Sequence, residues 1–245
     1  MLATRFLASG TLALALSVGA SPDIVPHAPR AVAAAWAPTD ASNIEMWLKA
    51  DAGLTTDVGA TDWEDQSGNG NDVTQTTDSL EPAVTSSWQN GLDGVAPDGT
   101  DDEMDFTSNI TASGVYTIAM ALEYDGGSQA FIGATLNAVG LHVVNIHRAQ
   151  SIGGHDFFNV LNAIPTGKHI VVIGRDSSDV QWGYVDGDFK TGGDTTSISR
   201  VFNSLFKDSG GPLGAGTYGE IIVWLADHEA IEDDIYTYLS DRWAL

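Results

Sequence analysis

The feature that most constrains this chain is the run Trp63-Glu64-Asp65-Gln66-Ser67-Gly68-Asn69-Gly70-Asn71-Asp72. Gly68 and Gly70 can take positive φ, and the Asn and Asp side chains can hydrogen-bond their own backbone, so the chain must reverse tightly here. Turns of this kind flank it on both sides. Upstream lies Trp47-Leu48-Lys49-Ala50-Asp51, the end of a first strand spanning Ile44 to Lys49, with Trp63 opening a second. Downstream, Trp88 and the Asn90-Gly91 pair mark a hairpin. The stretch then closes Leu92-Asp93-Gly94-Val95-Ala96-Pro97-Asp98-Gly99-Thr100-Asp101-Asp102, with a short strand from Asp101 to Phe106. From Trp47 to Asp102 the chain thus reads as short apolar strands tied by Gly, Asn and Asp.

These residues resemble the N-terminal part of the laminin G-like, concanavalin A-like family of β-sandwich domains. The resemblance rests on Trp47-Leu48 with Ala50, on Trp63, Asp65 and Ser67-Gly68 with Gly70-Asn71, on Asn90-Gly91 with Gly94, and on Asp98-Gly99 with Asp101-Asp102. Ala96-Pro97 departs from it, since the family usually carries Arg-Phe before its Asp-Gly, and Pro97 cannot donate to a ladder. The resemblance covers about residues 42–245. It implies an antiparallel jelly-roll sandwich, and relatives that are secreted glycan-binding proteins or phage virion proteins.

The remaining chain agrees with an all-β sandwich. Val115 to Tyr124 is a near-continuous apolar run, as a central strand buried on both faces requires. Further strands are expected at Phe131–Gly133, Leu141–Ile146, Phe157–Leu161, Lys168–Gly174 and Glu220–Leu225. Gln181 to Val185 followed by Asp186-Gly187 is a hairpin signal and resembles a hairpin of the same family. The Gly/Ser/Thr-rich residues 191–217 read as a long loop with a short strand or helical turn. The end reads as a helix from about 228 to 243: Ile231, Ile235, Tyr238, Leu239 and Trp243 recur at helical spacing, Asp227 can cap it, and acids crowd its positive end. The family resemblance places Glu220–Leu225 beside the first strand and so Trp47 near Trp224.

Residues 1–41 form a separate unit. Arg5, the apolar run Phe6 to Val18 and the small residues Val18-Gly19-Ala20 have the order of a secretory leader, and the run is short for a membrane span. Pro22, Pro26, Pro29 and Pro38 then give an extended, Pro/Ala-rich segment. If the segment is retained, Phe6, Leu7, Leu12, Leu14, Leu16 and Trp36 would expose an apolar patch that a soluble monomer avoids. A protein partner, or copies of the same chain, would have to cover it.

Charge narrows the partners. The formal net charge is −23. Asp23 and Asp40 cancel Arg5 and Arg30, so the whole excess falls on the sandwich, which therefore repels nucleic acid and anionic lipid. The chain has no Cys, which removes thiolate nucleophiles and disulfides. Glycosidase chemistry needs facing carboxylates. Glu123-Tyr124-Asp125 has the strand spacing but stops at Gly126, and Glu232-Asp233-Asp234 lies on the helix. His142, His147 and His155-Asp156 supply neither a triad nor a zinc pair. A non-enzymatic protein is expected.

Two oxygen-rich clusters remain. Asp65, Asn69, Asn71 and Asp72 could hold calcium, the one cofactor the residues suggest, or could simply cap their turn. Asp98, Asp101 and Asp102 form the second cluster and, with Trp88, the expected ligand-binding group. The favoured expectation is a virion surface or structural protein (capsid cement, spike or tail component) that attaches through its arm to capsid or tail proteins. The alternative is a secreted or tail-borne carbohydrate-binding, lectin-like domain.

Overall fold

A computed structural model describes residues 35–126, 129–133, 141–143, 149–150, 157–158, 164–191, 200–207 and 214–245. The chain folds into two antiparallel sheets and one C-terminal helix, an all-β sandwich. One sheet runs, edge to edge, Asp188–Thr191, Gln181–Val185, Gly167–Arg175, Tyr116–Tyr124, Thr217–Trp224, Leu92–Ala96 and Ala83–Gln89, with Ile44–Lys49 also paired to Thr217–Trp224. The other runs Phe157–Phe158, Ala149–Gln150, Leu141–Val143, Gln129–Gly133, Arg200–Leu205, Met104–Ala112, Val73–Thr74, Ala60–Trp63 and Leu54–Thr56.

The apolar runs are continuous because the first sheet is covered on both faces. On Tyr116–Tyr124, Ile118, Met120, Leu122 and Tyr124 enter the core that also holds Trp63, Met104, Phe106 and Leu205, while Ala119 and Ala121 face the layer of the helix residues Ile235, Leu239 and Trp243. Small Ala side chains leave room for the helix. Val171 and Ile173 join the first core and Ile170 and Val172 the second, and Thr217–Trp224 divides in the same way, with Ile221 and Val223 opposed to Ile222 and Trp224. The strand Met104–Ala112 lacks such a cover on one face: Met104, Phe106, Ile110 and Ala112 are buried while Asp105, Thr107 and Thr111 are exposed.

The turns follow their residues. Asn90 (φ 52°) and Gly91 (φ 75°) join Ala83–Gln89 to Leu92–Ala96, and Asp186 (φ 52°) and Gly187 (φ 77°) join Gln181–Val185 to Asp188–Thr191. Both positions are left-handed in each pair, as two-residue hairpins with the sheet's own twist require. The strand Leu92–Ala96 stops at the residue before Pro97. The first strand pairs with the last, Trp47 opposite Ile222 and Ile44 opposite Trp224, and Trp47 and Trp224 lie in the same helix-side layer.

Four local expectations are corrected. Trp63 closes its strand rather than opening it, because Leu54–Thr56 and Ala60–Trp63 already form a hairpin before it. The strand expected at Asp101–Phe106 begins only at Met104, since Asp98, Thr100 and Asp101 are folded into a loop by their own hydrogen bonds. The helix expected from 228 is a short 3-10 turn, Glu229–Ile231, followed by the α-helix Glu232–Trp243. Asp227 caps that turn through the Glu229 N–H (3.1 Å) and also accepts the Trp182 indole N–H (3.1 Å), leaving the α-helix itself without a side-chain cap.

Candidate functional site

Asp65 shows how the Gly/Asn turn is built. Its Oδ1 accepts the N–H of Trp47 (2.8 Å) and of Ser67 (2.8 Å), and its Oδ2 accepts the Ser67 hydroxyl (2.7 Å) and the Asn71 N–H (3.1 Å). Four donors fill the four lone-pair sites of the carboxylate. Asp72 Oδ1 takes the Asp65 N–H (2.8 Å), Asn69 Nδ2 donates to the Ile44 carbonyl (2.7 Å), and Asn71 Nδ2 donates to the Glu45 carbonyl (2.8 Å). The cluster read as a calcium candidate is thus a clamp between the turn and the first strand. A cation on Asp65 would have to displace the bonds that shape the loop.

The second cluster does converge. Carboxylate oxygens of Asp98, Asp101 and Asp102 lie within 4.8 Å of one another. Asp98 Oδ1 accepts the N–H of Thr100 (2.7 Å) and Asp101 (3.3 Å), and Asp102 Oδ2 accepts the Asp98 N–H (2.8 Å). The Thr100 N–H lowers the Asp98 carboxyl below its ordinary value, while burial raises Asp102. These bonds account for an Asx-type loop. Calcium takes six to eight oxygens, and three carboxylates of which two already serve the loop supply few of them.

Trp88, expected in the ligand-binding group, is corrected to a core residue. It is 7% exposed, packs 5.4 Å from the Trp243 ring centroid, and donates its indole N–H to Glu123 Oε2 (2.7 Å). The helix covers the face on which it sits, and Glu123 serves its packing. Trp36, read as part of the arm, packs edge-on against Tyr238 of the helix at 5.9 Å. Phe6, Leu7, Leu12, Leu14 and Leu16 lie outside the described residues, as do His147, His155 and Asp156.

A concavity among the described residues lies elsewhere. A cleft of 510 Å³ is lined by Leu54 and Thr56 of the outermost strand of one sheet and by Val84 and Ser86 of the outermost strand of the other. The segment Ala50–Gly53, the turn Asp57–Gly59 and Asp93 complete its wall. Its volume falls within the roughly 300–1,000 Å³ of small-molecule sites. The hydrogen bonds Gly59 N–H to Glu81 Oε2 (2.7 Å) and Ala60 N–H to the Pro82 carbonyl (2.8 Å) hold the two edges together. A Cβ on Gly59 would stand 2.6 Å from the Pro82 oxygen, so only glycine lets the turn seat there.

Three carboxylates face this cleft, and two are held in place. Asp93 Oδ1 accepts the N–H of Ser87 (2.9 Å), whose φ of 52° marks a bulge in its strand. Asp51 is ion-paired to Arg242. Arg242 Nε in turn lies 2.8 Å from Glu220 Oε2, and Glu220 is wholly buried. Glu220 also accepts the indole N–H groups of Trp47 (2.6 Å) and Trp243 (2.8 Å) and the Tyr238 hydroxyl (2.8 Å). Burial raises the Glu220 carboxyl, and these donors and Arg242 oppose that rise. The helix is thereby fastened to the sheet, and Asp51 to the helix. Asp57 is exposed at the rim beside Val58, which is 71% exposed. The wall combines fixed acceptors, hydroxyls from Thr56 and Ser86, and aliphatic surface from Leu54, Val58 and Val84, and among the described residues it includes no Lys, Arg or His. A second cleft of 320 Å³ shares Gly53 and Leu54 and adds Thr55, Asp62, Glu64 and Asp72.

No family model and no curated protein sequence matches the chain. Solved structures do. The binding domain of botulinum neurotoxin DC in complex with SialylT superposes with a TM-score of 0.58 at 9% identity, over 84% of this chain and 52% of that one. Domain 4 of AbnA, a GH43 extracellular arabinanase from Geobacillus stearothermophilus in complex with arabinotriose, gives 0.54 at 14% identity, over 74% and 92%. Trypanosoma rangeli sialidase gives 0.54 at 14% identity, over 89% of this chain but only 36% of its own. The shared feature is the β-sandwich fold. The chain spans about a third of the sialidase, and identities this low show the fold alone.

Proposed function

We propose that this protein is a non-catalytic, carbohydrate-binding domain of lectin type whose sugar site is the cleft between the two sheet edges. The observation that carries the reading is the cleft: fixed carboxylate acceptors and hydroxyls beside aliphatic surface, the combination a polyol with apolar C–H faces needs. Similarity in fold to structures solved with arabinotriose and SialylT supports it. The expected virion role draws no support from the structures that match, and the arm residues on which it rested lie outside the described part. Secretion suits this reading, with residues 1–20 as the leader and Phe6 to Val18 as its apolar run.

The test is a glycan array probed with the labelled full chain, followed by the same array with Ser86→Trp, which fills the cleft. The reading expects a defined subset of saccharides to bind and the variant to lose them while its melting temperature is kept. An array blank across all sugar classes would refute it, and retention by the variant would move the site elsewhere.

A further inference from the structure

The cleft's electrostatics define the class of sugar it can take. Among the described residues its wall carries Asp51, Asp57 and Asp93 and no cationic side chain. Among the described residues, the cations on the neighbouring elements are already committed. Arg242 is shared between Asp51 and Glu220. Lys49 Nζ sits over the Trp47 ring, 4.4 Å from its centroid. Lys168 Nζ donates to the Trp88 carbonyl (2.7 Å) and to Gln89 Oε1 (2.9 Å). The neighbouring cleft adds Asp62, Glu64 and Asp72, and the whole chain carries a net charge of −23. Recognition of a carboxylate, sulfate or phosphate on a sugar calls for Arg, Lys or a cluster of N–H donors. Here a ligand anion would meet ionised carboxylates instead. Hydroxyl groups meet what they need, since a carboxylate accepts two hydroxyl donors and the charge-assisted bond is the stronger kind.

Resting on the glycan-binding reading above, we infer that the cleft selects uncharged sugars, paired through their hydroxyl hydrogens to Asp51, Asp57 and Asp93, and rejects sialylated, uronate-bearing and sulfated ones. Asp93 and Asp51 arrive pre-positioned by Ser87 and Arg242, so little ordering is needed when the sugar binds. Asp57 stands exposed at the rim, on the solvent side of the cleft. Rejection of anions is electrostatic, so it weakens as salt screens it.

Calorimetry of the full chain against matched probes tests this: lactose with 3′-sialyllactose, and a heparin oligosaccharide with its desulfated, carboxyl-reduced form, each at low and at high salt. The expected result is binding of a neutral member, with its anionic counterpart at least about tenfold weaker at low salt and the gap narrowing at high salt. Asp57→Asn and Asp93→Asn should each weaken neutral-sugar binding several-fold at unchanged melting temperature, because the amide introduced at position 93 keeps an oxygen for the Ser87 N–H. A sialylated or sulfated probe that binds as well as its neutral counterpart overturns the selectivity while leaving glycan binding intact. Neutral binding untouched by either variant overturns the assignment to these carboxylates. Absence of binding to every probe, joined to a blank array, removes the glycan reading itself.

Discussion

Asp65→Ala removes a side chain whose whole hydrogen-bonding capacity is in use. The Asn71 N–H is buried and the Trp47 N–H partly buried, and both lose their acceptor; the Ser67 hydroxyl keeps the Glu45 carbonyl (3.3 Å) as an acceptor, and the Ser67 N–H borders the exposed residues Gly68–Gly70 and can turn to water. A buried donor left unpaired costs about 1–3 kcal/mol. Two such donors, with partial relaxation of the loop, give about 3 kcal/mol, against the ~1 kcal/mol of an ordinary lost cap. For a sandwich of this size that is a fall of roughly 6–12 °C in Tm, at roughly 2–4 °C per kcal/mol. Asp65→Asn should lose about half as much, since an amide oxygen can still serve Trp47 and Ser67 while its NH₂ group opposes the Asn71 N–H. Urea denaturation followed by Trp fluorescence measures both. A loss under about 1 kcal/mol for the Ala variant would show that water or a bound cation replaces the clamp, and the account of the turn would fail.

Two further perturbations probe the helix and its seat. Burial, with the Asp233 charge adding to it, pushes Glu232 from 4.5 up to about 7, and its Oε1 has no hydrogen-bond partner among the described residues. The folded value lies above the unfolded one, so the contribution of Glu232 is fully present below pH 4.5 and lost as pH rises through about 7. Glu232→Gln should therefore be more stable than the parent at pH 8 and lose that advantage at pH 5; equal pH slopes in urea titrations would contradict this. A Cβ on Gly219 would stand 2.6 Å from Trp88 and 2.7 Å from Trp243, so Gly219→Ala should cost about 1–3 kcal/mol by overpacking and disturb the near-ultraviolet circular dichroism of the indoles. A variant as stable as the parent would mean that the helix can shift to make room.

What the sequence displayed and what it hid have one physical cause, the range over which a signal acts. The turn at Asp65–Asp72, the Asn90-Gly91 and Asp186-Gly187 hairpins and the doubly buried strand Tyr116–Tyr124 depend on residues close in the chain, and all were legible. The helix was legible from its spacing, but its start was not, because Asp227 also answers to Trp182, 45 residues away. Trp88 misled because its strand is otherwise mostly polar and exposed. Only the helix that returns over that strand makes it core. The cleft was out of reach for the same reason. Asp51, Asp57 and Asp93 belong to three separate segments, and Leu54–Thr56 is too short and polar to announce an edge strand.

The claim that sugars enter the cleft between the sheet edges is tested most directly by amide chemical-shift mapping on the full chain, titrated with a neutral oligosaccharide taken from the array. The account predicts saturable shifts at Asp51, Gly53, Leu54, Asp57, Ser86 and Asp93, the residues that line the cleft, with the loop Asp98–Asp102 unmoved. Shifts centred on Asp98, Asp101 and Asp102, or on the face carrying Asp105, Thr107 and Thr111, would contradict it and place recognition on another part of the sandwich.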